Sequence, residues 1–393
     1  MKEIIIILSL LLITVGAFTQ APDWEWATGA GGYDSDYVSG ITTDNMRNSY
    51  LTGEFDGDAT FGSYSLTSYA YSYDIFVAKI NENGIWQWAA KAGGTQYDAG
   101  RGIVNDESGN IYISGLFQGT ATFGSHSLVS SDDIDIFVAK LDTDGNWLWA
   151  AKAGDDCDDC AYGITIDEER NCYITGYFEC NATFGSFTIH SNGSRNIFVA
   201  KIDSSGNWLW ATDIDGIGYN YGYGISVDAT GNSYITGIKY NATSRFGSQI
   251  IRGIDDIIVA KFDTNGNPQW TTFAGGSSDD RGYGITNDNS GNCYVTGIFN
   301  DTATFGSYSI SSSGYDDIFI AKLNPNGIWQ WVTVGGGSAQ DWGRSITIDD
   351  LSNCYITGHF GNTATFGSHS VTSSGGADVF VAKMDIEGNW LWV

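Results

Sequence analysis

A tryptophan returns along this chain at Trp26, Trp88, Trp149, Trp210, Trp270, Trp331 and Trp392, at spacings of 62, 61, 61, 60, 61 and 61 residues. An Ala-Lys pair keeps the same step, ending at Lys79, Lys140, Lys201, Lys261, Lys322 and Lys383. So does a Phe-Gly-Ser triplet beginning at Phe61, Phe123, Phe184, Phe246, Phe305 and Phe366. A fixed period of this kind means one supersecondary unit copied along the chain, each copy too small to bury its own apolar surface alone. Residues 21–393 all fall in this register, which leaves no room for a linker or a second domain.

Each unit reads as four strands. In the second copy these are Gly102–Asp106, Ile111–Phe117, Asp135–Leu141 and Trp147–Ala151. The segments Asp106-Glu107-Ser108-Gly109-Asn110 and Asp142-Thr143-Asp144-Gly145-Asn146 are tight hairpin signals. Asp accepts hydrogen bonds from nearby backbone N–H groups, and Gly supplies positive φ. Tyr112 opposes Ile111 and Ile113, and Ile136 opposes Phe137, so both faces of the small sheet are apolar and both must be covered. A four-stranded unit of this length, covered on both sides, predicts an all-β fold, a β-propeller of four-stranded blades with six complete repeats. The 52 glycines and only 3 prolines fit such a chain of short strands and turns. The small residues Gly40, Gly102, Gly163, Gly224, Gly284 and Ser345 mark the crowded first strand beside a central channel.

The run Gly109-Asn110-Ile111-Tyr112-Ile113-Ser114-Gly115, followed by Asp135-Ile136-Phe137-Val138-Ala139-Lys140-Leu141-Asp142, resembles the bacterial SBBP-type β-propeller repeat. The resemblance implies a structural repeat found in exported and surface proteins, with no shared catalytic residue. Strand four occurs seven times and strands one to three six times, because Asp23-Trp24-Glu25-Trp26 precedes the first full unit. The count predicts either an incomplete seven-bladed ring, continued beyond Val393, or a six-bladed ring with one redundant outer strand.

Residues 1–20 carry one lysine, an apolar run from Ile4 to Phe18 and a small or polar exit, the pattern of a cleaved signal peptide. The run is too short for a membrane span of ~20 residues. The expectation is a secreted or cell-surface protein with no membrane insertion after cleavage. The formal net charge of −28 excludes a nucleic-acid partner, since phosphate neutralisation needs excess Lys and Arg. Extracellular protein or glycan remains as the partner class.

Site candidates are few. Asp36, Asp98, Asp159, Asn220, Asp280 and Asp341 stand four residues before the small residue of strand one, on the loop entering each blade. Two readings apply: each caps its own turn, or the ring gathers around the channel mouth and holds Ca²⁺ or a cationic ligand. The repeated Lys pairs on paper with an equally regular Asp (Asp44, Asp106, Asp167, Asp228, Asp288, Asp349), as a structural ion pair rather than a nucleophile. Cys172, Cys293 and Cys354 share one strand slot and read as packing residues, too far apart for disulfides. Cys157 and Cys160 form the single C-x-x-C, read as a local disulfide, with Cys180 as an alternative, odd partner. The paired Trp residues are expected to fill the wedges between outer strands. There is no H-E-x-x-H, G-x-S-x-G or Walker loop. The sequence therefore predicts an exported binding or scaffold module with contacts on the loop face. The alternative is a secreted enzyme acting on polysaccharide through two carboxylates of that face.

Overall fold

The hairpins form where the sequence places them. In the first hairpin of blade one, Asp44 Oδ1 accepts from the N–H groups of Met46 and Asn48, and the Asn48 amide donates to Oδ2. The same arrangement recurs at Asp106, Asp228, Asp288 and Asp349. Burial alone would raise the Asp44 carboxyl; the donated hydrogen bonds from Asn48 and Tyr50 hold it below its ordinary value. The second hairpin of each blade uses Asp or Asn followed three residues later by a Gly at φ between +73° and +90°.

The computed structural model describes residues 22–393 except 24, 70, 71, 217, 241, 247, 248, 254 and 255. The expected signal segment 1–20 and Trp24 lie outside the described residues. All described regular structure is β. Blade one comprises Asp36–Thr43, Ser49–Phe55, Asp74–Ile80 and Trp86–Ala92. Blade two comprises Asp98–Asn105, Ile111–Phe123, His126–Leu141 and Trp147–Ala153. Blade three comprises Cys160–Ile166, Cys172–Phe184, Phe187–Ile202 and Trp208–Gly216. Blade four comprises Tyr221–Val227, Ser233–Lys239, Asp256–Phe262 and Pro268–Ala274. Blade five comprises Arg281–Asn287, Cys293–Phe299, Asp317–Leu323 and Trp329–Gly337. Blade six comprises Trp342–Ile348, Cys354–Phe366, His369–Met384 and Trp390–Trp392. Within each blade the four strands pair antiparallel in sequence order.

First strands of all six blades line one central cavity, so the repeats are arranged radially rather than as a straight stack. The core lies between blades. One such layer joins Tyr234, Ile257 and Val259 of blade four to Cys293, Val295, Phe319 and Leu323 of blade five. Close approach sets the residue sizes there. A Cβ on Gly100, Gly222, Gly282 or Gly343 would collide with Oγ1 of Thr52, Thr175, Thr236 or Thr296 on the preceding blade. Where strand two carries the smaller Ser114, the facing slot holds the larger Ala161.

Two further devices link neighbours. The Phe-Gly-Ser hairpin bridges to the exit of the preceding outer strand, as in Gly93 with Thr122 and Gly335–Gly337 with Ala364–Phe366. Its Phe packs down on its own blade: Phe123 lies 5.0 Å from Phe137 and edge-on to Trp147 at 5.2 Å. In blades one to three the second Trp of the W-x-W reaches forward. Trp88 Nε1 donates to Thr143 O at 3.0 Å, Trp149 to Ser204 O at 3.1 Å, and Trp210 to Thr264 O at 3.1 Å. Each indole rests on the positive-φ glycine of that next hairpin, so any side chain there would meet the ring.

Inside each blade the repeated Lys sits over the strand-two Tyr ring, at 4.6 Å for Lys140 over Tyr112 and 5.0 Å for Lys79 over Tyr50. That Tyr hydroxyl donates to the hairpin Asp, as in Tyr50 to Asp44 at 3.0 Å and Tyr234 to Asp228 at 2.9 Å. Direct Lys–Asp pairs form at Lys201–Asp167 (3.0 Å), Lys383–Asp349 (3.4 Å) and Lys261–Asp228 (3.9 Å). The aromatic ring is thus the common link between cation and carboxylate. Trp149→Ala should cost about 3–5 kcal/mol, because it empties an inter-blade slot and leaves Ser204 O unpaired. Gly206→Ala should cost about 1 kcal/mol or more through strain at φ +88°. Urea denaturation checks both, and equal stability of Trp149→Ala and the parent would contradict the latch.

Candidate functional site

The predicted acidic ring is placed at the blade junctions, and its oxygens face backbone. Asp98 Oδ2 accepts from Gly94 N–H at 2.7 Å and Oδ1 from Gln118 N–H at 3.3 Å. Asp159, Asp280 and Asp341 repeat this bridge between the entering loop and the end of strand two. Asp36 accepts from Gly32 N–H, and Asn220 donates to Arg195 O. Asp98, Asp159, Asp280 and Asp341 are fully buried.

Each of these carboxylates meets a second one on strand three of the preceding blade. A Cβ on Gly93 would lie 2.7 Å from Asp74 Oδ1 and 2.9 Å from Asp98 Oδ2; on Gly275, 2.6 Å from Asp256 Oδ1 and 2.8 Å from Asp280 Oδ2. Asp135 with Asp159 surrounds Gly154 in the same way. At the junction of blades three and four both slots change together, to Asn196 and Asn220. Among the described residues the acids meet in pairs, and no three His, Cys, Asp or Glu side chains converge. Two carboxylates fall short of the six to eight oxygens Ca²⁺ takes.

Burial pushes Asp74, Asp98 and Asp280 up to about 7 and Asp159 up to about 9, with the neighbouring Asp adding to the shift for Asp98, Asp159 and Asp280. Protonation of one carboxyl removes their repulsion. Oδ1 of Asp74 and of Asp135 is buried without a hydrogen-bond partner.

The disulfide differs from the expected Cys157–Cys160 pair. Cys157 is bonded to Cys180, with Cα atoms 6.1 Å apart, and Cys160 is a buried free thiol. Cys160 already lies in strand one, packed among Ala99, Leu116 and Tyr177, so its sulfur points between blades. Cys157 lies in the loop facing the tail of strand two. Cys180 occupies the turn slot that holds Gly57, Gly119, Asp301 and Asn362 in other copies, all at positive φ. A lone Cys in a turn slot beside a lone Cys in a loop was the readable signal. The cross-link duplicates covalently what Asp159 does by accepting from Glu179 N–H.

The channel wall is the feature that sequence reasoning missed. Strand one carries a bulge at the same place in every blade, so one residue per blade drops out of register. The extruded residues are Ser39, Arg101, Tyr162, Tyr223, Tyr283 and Arg344. Bulges re-aim side chains, and here they add a residue type that does not repeat. The signal was the unvarying small-x-small spacing around a varying x. Tyr162 and Tyr223 lie 5.4 Å apart, Tyr223 and Tyr283 5.1 Å, and Tyr283 and Trp342 5.9 Å. Arg344 stacks on Trp342 at 4.3 Å and on Tyr283 at 4.8 Å. Burial and the Arg344 charge push nearby His359 down. Three neighbouring arginines are neutralised: Arg101 by Glu54 at 3.5 Å, Arg195 by Glu179 at 2.6 Å, and Arg281 by Asp279. No ion pair to Arg344 occurs among the described residues. Ser39, Arg101, Tyr223, Tyr283 and Arg344 line a cavity of about 650 Å³.

Carboxyls raised above their unfolded value near 3.9 keep their protons longer in the folded protein. The folded state then binds more protons than the unfolded chain from roughly pH 4 to pH 9, so its stability falls as pH rises through that window. The melting temperature should therefore drop between pH 5 and pH 9. Replacing Asp135 and Asp159 together by Asn, as at Asn196 and Asn220, should flatten the drop. Thermal scans across pH check this; a melting temperature that climbs over the window would contradict it.

Residues 330–359 match the family model described as Beta-propeller repeat, SBBP. A curated relative, an uncharacterized WD repeat-containing protein of Acanthamoeba polyphaga mimivirus, is 24% identical over a match covering 64% of this chain. The match covers 23% of that relative's own length. Similar solved structures include the Neurospora crassa Pan2 WD40 domain, at 10% identity, 82% of this chain, 86% of that chain and TM-score 0.40. BamB from Moraxella catarrhalis matches at 11% identity, 82% of each chain and TM-score 0.34. With its six radial four-stranded blades and the matched repeat, the chain is a β-propeller repeat protein.

Proposed function

We propose that this chain is an exported binding module whose ligand contacts lie on the channel wall, and that it takes a small ring-bearing anion such as a glycan's terminal uronic acid. The observation that carries this reading is Arg344: an exposed guanidinium held flat on two aromatic rings, without a carboxylate partner, in a chain of net charge −28. In so acidic a protein the neighbouring arginines already have acids beside them, so a carboxylate on Arg344 is left for a ligand to supply. Guanidinium and carboxylate match bidentately. Tyr223 and Tyr283 offer ring faces on which a sugar can stack. A single charge suits the site better than a polyanion, which the overall negative field would repel. The signal pattern of residues 1–20 and the resemblance to exported repeats support the location.

The test is calorimetric titration with digalacturonate and with its neutral methyl ester. The acid should bind and the ester should bind at least tenfold more weakly. Arg344→Ala should weaken the acid by about tenfold or more, the loss of one charge-assisted contact, while the melting temperature stays near the parent's. Equal affinity for acid and ester, or binding indifferent to Arg344→Ala, would overturn the reading.

A further inference from the structure

The ring is open at one joint. In five blades the small residue of one first strand rests on the first-strand Ile of the next: Gly40 on Ile103, Gly102 on Ile164, Gly163 on Ile225, Gly224 on Ile285 and Gly284 on the backbone of Ile346. Ile103, Ile225, Ile285 and Ile346 are 6–8% exposed, whereas Ile41 of blade one is 64% exposed. The far rim agrees. Val379 of blade six is 79% exposed and Val381 38%, whereas the residues in the same slots of blades one to five, Ile75 to Ile318 and Val77 to Ile320, are fully buried. Both rims are therefore apolar blade faces of the kind that is covered everywhere else.

What should cover them is written in the latches. Trp26 Nε1 donates to Glu82 O at 2.8 Å, and its ring lies against Gly84. This is the contact Trp88 makes with Thr143 and Gly145. Trp26 thus holds the place of an outer-strand Trp belonging to a blade that would precede blade one. Pro22 and Asp23, just upstream, reach the cleft lined by Phe360, Val381 and Trp392 of blade six. The contacts of Pro22 and Asp23 on one rim and of Trp26 on the other therefore bracket the gap. Asp36 and Asp378, at the two rims, each hold one slot of the carboxyl pair found at closed junctions.

The geometry points to a seventh-blade site: the wedge between blades six and one accepts three strands of this same repeat, beside which Trp26 already holds the outer-strand latch. The packing rule specifies the occupant further. At each closed junction the strand-two residue and the facing strand-one residue share a fixed volume: Thr faces Gly, and the smaller Ser114 faces Ala161. Blade one presents Val38 in that slot. Val has as many side-chain heavy atoms as Thr, so the strand facing it must carry Gly where blades one and three to six carry Thr.

Capture in trans tests this. The probe is a tagged polypeptide of residues 279–328, strands one to three of blade five, in two forms: native, and with Thr296→Gly. The Thr296→Gly form should give a one-to-one complex by native mass spectrometry, raise the melting temperature by several degrees, and bind at least tenfold more tightly than the native form. Ile41→Asp with Val379→Asp, both exposed in the free chain, should leave the chain's own melting temperature unchanged and abolish capture. Absence of a complex, a complex untouched by the two Asp substitutions, or preference for the native probe would overturn the proposal. So would a homodimer in which a second copy protects Ile41 and Val379 from hydrogen exchange.

Discussion

Every blade here is apolar on both faces, and this single constraint organises the rest of the structure. A four-stranded sheet with one wet face can stop anywhere; one with two dry faces needs a neighbour on each side. Burial at about 25 cal/mol per Å² drives the stacking but does not fix its register. Register comes from close contacts. Thr52 against Gly100 leaves no space for even a methyl group, so the first strands can approach only at one height. The Trp-to-carbonyl bonds fix the outer rim in the same way. Inner and outer contacts together set one angle per blade, and the Ser114–Ala161 exchange shows the inner contact tolerating a change on one side only with a compensating change on the other.

Repetition also separates structural from specific chemistry. The Asp turn caps, the Lys over Tyr, the junction carboxyls and the latching Trp recur because each blade needs them. The bulge residues obey no such demand. Their side chains leave the strand register and point into a cavity, so neither cross-strand pairing nor inter-blade volume restricts them. That freedom is why Ser39, Arg101, Tyr162, Tyr223, Tyr283 and Arg344 differ while the residue that follows each is always Gly or Ser. A channel wall of mixed Tyr and Arg is what such a scaffold can vary without loosening any junction.

Much of this was legible before any coordinates. The period, the strand pattern and the hairpin Asp and Gly are local signals, and the structure places them where the spacing predicts. Blade order followed from two-sided apolar strands. What was not legible depends on residues brought together from separate blades. Asp74 and Asp98 lie 24 positions apart and each has an innocent local role, so the pairing of carboxyls is visible only when the loop folds back across Gly93. The Lys-to-Asp pairing expected on charge forms directly in blades three, four and six, but the Tyr that joins Lys and Asp in every blade was not legible, since sequence spacing shows sign and not an intervening ring. Cys157 was matched to the nearer Cys160 because separation along the chain is the only distance a sequence offers; strand direction then turned Cys160 inward and left Cys180 facing the loop.

The open joint and the channel share a wall. Ser39 and Arg344, on the first strands of blades one and six, both line the cavity and flank the gap. Filling the wedge would complete the cavity's circumference and lower the dielectric around the Arg344 guanidinium. An anion there would gain strength from the loss of competing water. By reciprocity an anion in the channel would then favour the filled ring by the same factor. The acidic surface works in the same direction, because it discourages any anion that does not reach a guanidinium such as Arg344. The proposed closure and the proposed anion selectivity thus rest on a common geometry: the inner strands that cannot spread apart and the bulged residues that they hold toward the axis.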